Sequence, residues 1–123
     1  MSSLGEFYNT RGRPLGMVFD ANNNLILWSY YTWDLAYSAW IGSFKQEYSF
    51  DANNNKTLDA YFTWDLALSI WVGNYKYEYT YDANNNLILN LGYNWDISSS
   101  SWIENKKYEY SFDSNNNQTF YAL

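Results

Sequence analysis

The chain has 123 residues, 13 acidic against 7 basic side chains, a net charge of −6, and neither cysteine nor histidine. A length of this order suits one cooperative unit with its own core, and an acidic balance with no basic run excludes a phosphate-neutralising nucleic-acid surface. Without Cys or His there can be no disulfide, thiolate metal site, Cys nucleophile or imidazole base, so most catalytic constellations are excluded and no cofactor is expected.

The opening segment Met1-Ser2-Ser3-Leu4-Gly5-Glu6-Phe7 is polar, and no secretory leader is expected in it. No apolar run reaches the roughly 20 residues that span a bilayer, and membrane insertion is not expected. The first predicted strand covers 9–20. It runs into Asp20-Ala21-Asn22-Asn23-Asn24, where an Asp can hydrogen-bond backbone two residues on and Asn tolerates the left-handed region, so a tight hairpin turn is expected. The second strand, 25–34, sorts with period two into Leu25, Leu27, Ser29, Tyr31 and Trp33 on one side, and Ile26, Trp28, Tyr30 and Thr32 on the other. A longer loop, Asp34-Leu35-Ala36-Tyr37-Ser38-Ala39, lies between Trp33 and Trp40, whose spacing lets them pair across the strands. Further strands are predicted at 40–51, 56–65, 71–82, 87–96, 102–113 and 118–123. In the fifth, strict alternation puts Trp71, Gly73, Tyr75, Tyr77, Tyr79 and Tyr81 on an aromatic inner face, with Lys76, Glu78 and Thr80 outside.

These elements are one unit written repeatedly. The turn begins at Asp20, Asp51, Asp82 and Asp113, each 31 residues after the last, and the same interval separates Trp33, Trp64 and Trp95, and Trp40, Trp71 and Trp102. The expected fold is an all-β antiparallel meander, a single domain over 1–123 with repeats at about 16–46, 47–77, 78–108 and 109–123, the last completed by 1–15. The chain falls one residue short of four periods, which makes its last strand the natural partner of its first. Closure into an eight-stranded up-and-down barrel would remove the exposed edges. A curled open sheet is the alternative, as is a polymer in which the chain partners itself by pairing terminal strands between molecules.

The stretch Glu78-Tyr79-Thr80-Tyr81-Asp82-Ala83-Asn84-Asn85-Asn86-Leu87 resembles the YD repeat of Rhs and teneurin-like proteins. With Trp95, Asp96 and Trp102 included, the unit is similar to the long-period repeats of secreted and surface proteins of Bacteroidetes. It departs from the motif in holding Asn23, Asn54, Asn85 and Asn116 where the family has Gly, and Phe19, Phe50 and Phe112 where it has Tyr. The resemblance implies an extracellular or cell-surface β-scaffold with no catalysis of its own.

Candidate sites are few. Asp20, Asn22 and Asn24 copy the opening of an EF-hand loop, but its Gly and twelfth-position acid are missing, and turn chemistry alone explains the spacing. Glu47, Glu78 and Glu109 are the paired carboxylates a glycosidase would need, yet each recurs two residues from Lys45, Lys76 or Lys107, as in a solvated charge ladder. Asn55-Lys56-Thr57 and Asn117-Gln118-Thr119 match the glycosylation acceptor pattern, as an Asn-rich chain will by chance. The column Trp28, Asp59, Asn90, Tyr121 is more informative because the repeat abandons it, so no shared packing holds it. Trp28, with Tyr30, Tyr61 and Tyr121, forms a candidate platform for a sugar ring. The structural reading of the same residues is that they cover the pleat or an oligomer contact. Function is thus expected to be scaffold, with possible self-association, or glycan binding; no enzyme is expected.

Overall fold

The structure, a computed structural model, describes residues 16–122. It contains eight strands: β1 (Met17–Phe19), β2 (Leu25–Asp34), β3 (Ala39–Phe50), β4 (Lys56–Asp65), β5 (Ile70–Tyr81), β6 (Leu87–Asp96), β7 (Ser101–Phe112) and β8 (Gln118–Ala122). All pair antiparallel with their chain neighbours in one sheet, ordered β1 to β8. The predicted strands are matched within a residue at each end from β2 onward. The part of the first predicted strand at 9–15 lies outside the described residues, as does the segment 1–15 assigned to the last repeat.

Two kinds of turn alternate along the meander. At Asp20 the carboxylate Oδ1 accepts the backbone N–H groups of Asn22 and Asn24 at 2.8 and 2.9 Å. Asn23 takes φ 64°, and its equivalents Asn54, Asn85 and Asn116 lie at 62–64°, so Asn supplies the left-handed residue at the glycine position. The turns are also tied to one another. Asn24 Nδ2 donates to Asn54 Oδ1 at 2.9 Å, Asn55 Nδ2 to Asn85 Oδ1 at 2.8 Å, and Asn86 Nδ2 to Asn116 Oδ1 at 2.9 Å. The other turns are capped by Asp34, Asp65 and Asp96, which accept the N–H of Tyr37, Leu68 and Ser99 at 2.9, 2.9 and 3.0 Å. Each ends on a serine with positive φ: Ser38, Ser69 and Ser100. The turns at one end of the strands are therefore rich in Asn and Asp, and those at the other end carry apolar tips at Leu35 and Ile97, 86 and 80% exposed.

Register corrects the face assignment. Tyr61 pairs with Tyr75 but Phe62 pairs with Gly73, so Asn74 is skipped; Ser43 and Asn105 are skipped in the same way. Such a bulge puts two residues opposite one and breaks strict alternation in the bulged strand. Trp71 and Gly73 consequently share a face with Lys76 and Glu78, while Tyr75, Tyr77 and Tyr79 lie on the opposite face with Tyr61. Aromatic residues are thus divided between a tryptophan face and a tyrosine face, with Trp28 on the latter. The ladder of Lys45–Glu47, Lys76–Glu78 and Lys107–Glu109 ion pairs, at 2.7, 3.1 and 3.1 Å, belongs to the tryptophan face and not to a polar exterior.

That division also accounts for the open sheet. Of the arrangements expected, the described residues adopt the open one: β1 and β8 are its two edges and do not pair, so the barrel is set aside. Closing on the tryptophan face would drive three ion pairs into the lumen, where desolvation costs more than their attraction returns. Closing on the other would have to pack the tyrosine ladder inside. Neither face is apolar enough to be an interior.

Stability comes instead from side chains packed along a single layer. Among the described residues no large side chain is fully buried, and the buried apolar set is Val18, Leu27, Tyr31 and Ala60. The expected tryptophan pairs form edge-to-face: Trp33–Trp40, Trp64–Trp71 and Trp95–Trp102 have centroids 5.3, 5.0 and 5.1 Å apart. Each such pair adds about 0.5–1.5 kcal/mol beyond its area. Successive repeats interlock, because Trp71 lies over Gly42 and Trp102 over Gly73, with no space for a Cβ beneath either ring. Lys45 Nζ sits 4.9 Å over the Phe62 ring and 5.1 Å over Trp71, and Lys76 stands likewise over Tyr93 and Trp102. In this way the aliphatic stems of the ladder roof the aromatic row.

Candidate functional site

The tyrosine face is continuous with the turn-to-turn register just described. In β2, Trp28 and Tyr30 point to this side because Leu27, Ser29 and Tyr31 take the other, where all three are buried. The skipped Ser43 brings Phe44 opposite Tyr30, and Gln46 then lies opposite Trp28 on one side and Tyr61 on the other. Tyr61 in turn faces Tyr75. A row of rings results, crossing four strands at right angles to the chain.

Within it Trp28 and Phe44 are 5.2 Å apart and tilted by 49°, Tyr30 stacks on Phe44 at 5.5 Å, Phe44 meets Tyr61 at 6.2 Å, and Tyr61 stacks on Tyr75 at 5.3 Å. Tyr77 and Tyr79 continue the row along β5 at 5.8 and 6.5 Å. Tyr30 remains 45% exposed. Beside these rings Gln46 Nε2 donates to Asp59 Oδ1 at 2.6 Å. Asp59 is flanked across the strands by Tyr48 and Tyr77. Burial first, and then the Asp59 carboxylate, pushes the phenols of Tyr48 and Tyr79 above their ordinary range, so the negative field of Asp59 reaches across the platform.

The structure thus brings together three of the four residues expected to form the platform: Trp28, Tyr30 and Tyr61. Tyr121 shares the face but belongs to a separate cluster, 6.4 Å from Tyr108 and 5.2 Å from Tyr110, with Asn90 lying between that group and Tyr79. Sequence reasoning missed Phe44, Tyr75, Gln46 and Asp59 as members. Period-two counting through Asn74 puts Tyr75 with Trp71, on the wrong face, and the same counting through Ser43 would misplace Phe44. The signal that could have found Asp59 is the column shared with Trp28, in which the repeat changes chemistry.

The remaining candidates are absorbed by structure. Asp20 Oδ2 accepts the Asn24 side-chain N–H at 3.2 Å, and that same amide donates to Asn54, so Asn24 offers an N–H rather than an oxygen to the loop centre. Hydrogen bonds, above all from the Asn24 backbone, hold the Asp20 carboxyl below the usual carboxylate range, and Asn55, Asn86 and Asn117 do the same for Asp51, Asp82 and Asp113. Among the described residues no three His, Cys, Asp or Glu side chains gather as a metal would require. Glu47, Glu78 and Glu109 are each held by the adjacent lysine. Asn55 and Asn117 are tied into their turns through their backbone N–H groups.

No family model matches the chain, and no curated protein matches it. Solved structures do. The fold is similar to that of a DUF3836 family protein from Bacteroides vulgatus, with 21% identity, a TM-score of 0.53, and 72% of this chain aligned to 90% of that one. A DUF3836 family protein from Parabacteroides distasonis aligns at 19% identity and a TM-score of 0.51, over 74% of this chain and 85% of its own. At these identities the likeness is one of fold: the repeated antiparallel sheet is shared with solved proteins of that type.

Proposed function

We propose that this chain is a non-enzymatic β-repeat module that holds a carbohydrate on its tyrosine face, the repeats serving as its rigid scaffold. The observation carrying this reading is the partly exposed row Trp28–Phe44–Tyr61–Tyr75 with the Gln46–Asp59 pair beside it. A sugar ring offers an apolar face of C–H bonds to the negative face of an aromatic ring, and hydroxyls to neighbouring polar groups. Support for a non-catalytic role comes from the ion-paired glutamates and the absence of His and Cys. The resemblance to YD-repeat and Bacteroidetes surface repeats favours an extracellular or cell-surface setting. A glycan array probed with wild-type protein, Trp28→Ala and Tyr61→Ala is the test. Binding that both substitutions abolish supports the reading; no glycan bound above background refutes it.

A second reading, self-association, is carried by the open edge at β8, where Phe120 is 52% exposed on the outermost described strand. Size-exclusion chromatography over a hundredfold concentration range distinguishes the two, since a strand-paired assembly grows with concentration and a monomeric binding module does not.

A further inference from the structure

The tyrosine face has a direction, a length and a sign of charge, and these together specify more than carbohydrate in general. Its rings are ordered across the strands, from Trp28 on β2 through Phe44 and Tyr61 to Tyr75 on β5. With strands about 4.8 Å apart, the row is about 14 Å long. Beyond β5 it stops. One repeat on from Tyr30 and Tyr61 stands Gly92, and one repeat on from Phe44 and Tyr75 stands Lys106. Asn94 lies opposite Tyr75. The platform therefore has a defined end within an otherwise periodic sheet.

Its polar centre is equally specific to one copy. In the column Trp28, Asp59, Asn90 and Tyr121 only the second repeat places a carboxylate. Asp59 accepts a hydrogen bond from Gln46 on Oδ1, and among the described residues none donates to its other oxygen, Oδ2. A carboxylate with a spare oxygen beside a flat aromatic row is suited to accept hydroxyl hydrogen bonds, and charge-assisted bonds of this kind are about twice as strong as neutral ones. The same charge repels an anion brought against it. One lysine reaches this face beside the row: Lys56, whose Nζ stands 4.6 Å over the ring of Tyr48, the residue opposite Asp59. It offsets part of the charge from the side, while Trp28, Phe44, Tyr61 and Tyr75 themselves carry none.

We propose that the platform takes a neutral, extended glycan a few sugar rings long, laid across β2 to β5, with Trp28, Phe44, Tyr61 and Tyr75 stacking on successive rings and the Asp59–Gln46 pair reading hydroxyls. This rests on the carbohydrate reading above and adds orientation, charge and length to it. Asp59 disfavours acidic polysaccharides, Lys56 at the side of the row offsetting only part of its charge, and short sugars fill only part of the row.

The test is a titration by intrinsic tryptophan fluorescence, which Trp28 reports, using cello-oligosaccharides and laminari-oligosaccharides of two to six units and oligogalacturonate of six. The expected result is saturable binding of a neutral series, with affinity rising at least tenfold from dimer to the length that fills the row and levelling beyond it. Oligogalacturonate should bind at least tenfold more weakly. Asp59→Asn, which keeps the side-chain shape, should weaken the neutral ligand about tenfold while removing the discrimination against the acidic one. Its fold is checked by its melting temperature, and Gln46→Ala, which removes the donor to Asp59 but leaves the charge, should weaken the neutral ligand and keep the discrimination. If neutral and acidic chains bind equally, or if Asp59→Asn changes neither, the present proposal fails while the carbohydrate reading stands. If no saccharide of any length binds, both fail together.

Discussion

Gly73→Ala isolates the contact that joins one repeat to the next. A Cβ built on Gly73 would stand 2.8 Å from Cη2 and Cζ2 of Trp102 and 2.9 Å from Cε3 of Trp95, well inside the roughly 3.5–4.0 Å of a favourable carbon contact. The ring has little freedom to withdraw, since Trp95 packs on it edge-to-face at 5.1 Å and Lys76 Nζ covers it at 5.2 Å. In a strand where nothing touched the glycine, alanine would stabilise by roughly 0.5–1 kcal/mol through reduced chain entropy. Overpacking costs about 1–3 kcal/mol, so the net expectation is a loss of about 1–2 kcal/mol. With a urea m-value of about 1–3 kcal/mol/M, the midpoint should fall by about 0.3–2 M. The sign decides the matter. A midpoint at or above that of the wild type would mean that Trp102 does not lie on Gly73. A double mutant with Trp102→Ala should lose less than the sum of the single changes, by about 1 kcal/mol, because two of the three close contacts go with the ring and Trp95 gains room to move.

Trp64→Ala removes a ring that packs on Trp71 and over Gly42; in a half-buried site it should cost about 2–3 kcal/mol, below the range for a fully enclosed aromatic. Trp28→Ala, whose half-buried ring is tilted against Phe44, should cost no more than about 1 kcal/mol, and equal urea midpoints for the two would refute the ranking. Ser69→Gly should raise stability by up to roughly 1 kcal/mol, since Ser69 holds φ 55°; a lower melting temperature would show that the serine side chain stabilises the turn. For Asp20, Asp51, Asp82 and Asp113 the folded-state pKa is depressed, so their contribution is present above the unfolded value and lost as pH falls through the folded one. The melting temperature should therefore be flat above about pH 5 and drop below about pH 4, and Asp82→Asn should flatten the drop; an unchanged acid profile would contradict the turn assignment.

Most of the fold is legible because the chain repeats its own instructions. Asp20 and Asn23 specify a turn from local chemistry, and the recurrence of that turn at Asp51, Asp82 and Asp113 turns one weak expectation into a ladder of strands. What periodicity misses is a change of phase inside a strand. Ser43, Asn74 and Asn105 look like ordinary polar residues on a polar face, yet each is the extra residue of a bulge, and one such residue exchanges the faces of everything beyond it. Closure was misjudged for the same reason. With all aromatics on one side a barrel is the economical solution, whereas rings on both sides and lysine–glutamate pairs among the tryptophans leave neither side fit to be an interior. The platform inherited part of this error: Trp28, Tyr30 and Tyr61 lie on strands without the mid-strand bulge and were found, and Phe44 and Tyr75 lie just beyond one and were not.

The departures from the repeat also have a common logic. Positions that hold a turn or an inter-repeat contact are constant, as at Asp20 and its equivalents, because each copy must fit the next. The third copy breaks the pattern on both faces at once. Glu104 replaces the glycine that at Gly42 and Gly73 receives the following tryptophan, and a side chain there would collide with any further ring stacked in the same way. Gly92 and Lys106 replace the rings of the other face, with a Cβ on Gly92 only 3.2 Å from Lys106 Cβ and Tyr77 Cε1. The residues that interrupt the tryptophan stack and the aromatic platform therefore lie in the same two strands, β6 and β7. A sheet of identical units would present a uniform surface to every ligand and every neighbour. By ending both rows at one place, this chain makes a bounded surface from an unbounded design, and the part of it that differs from copy to copy is where recognition is to be sought.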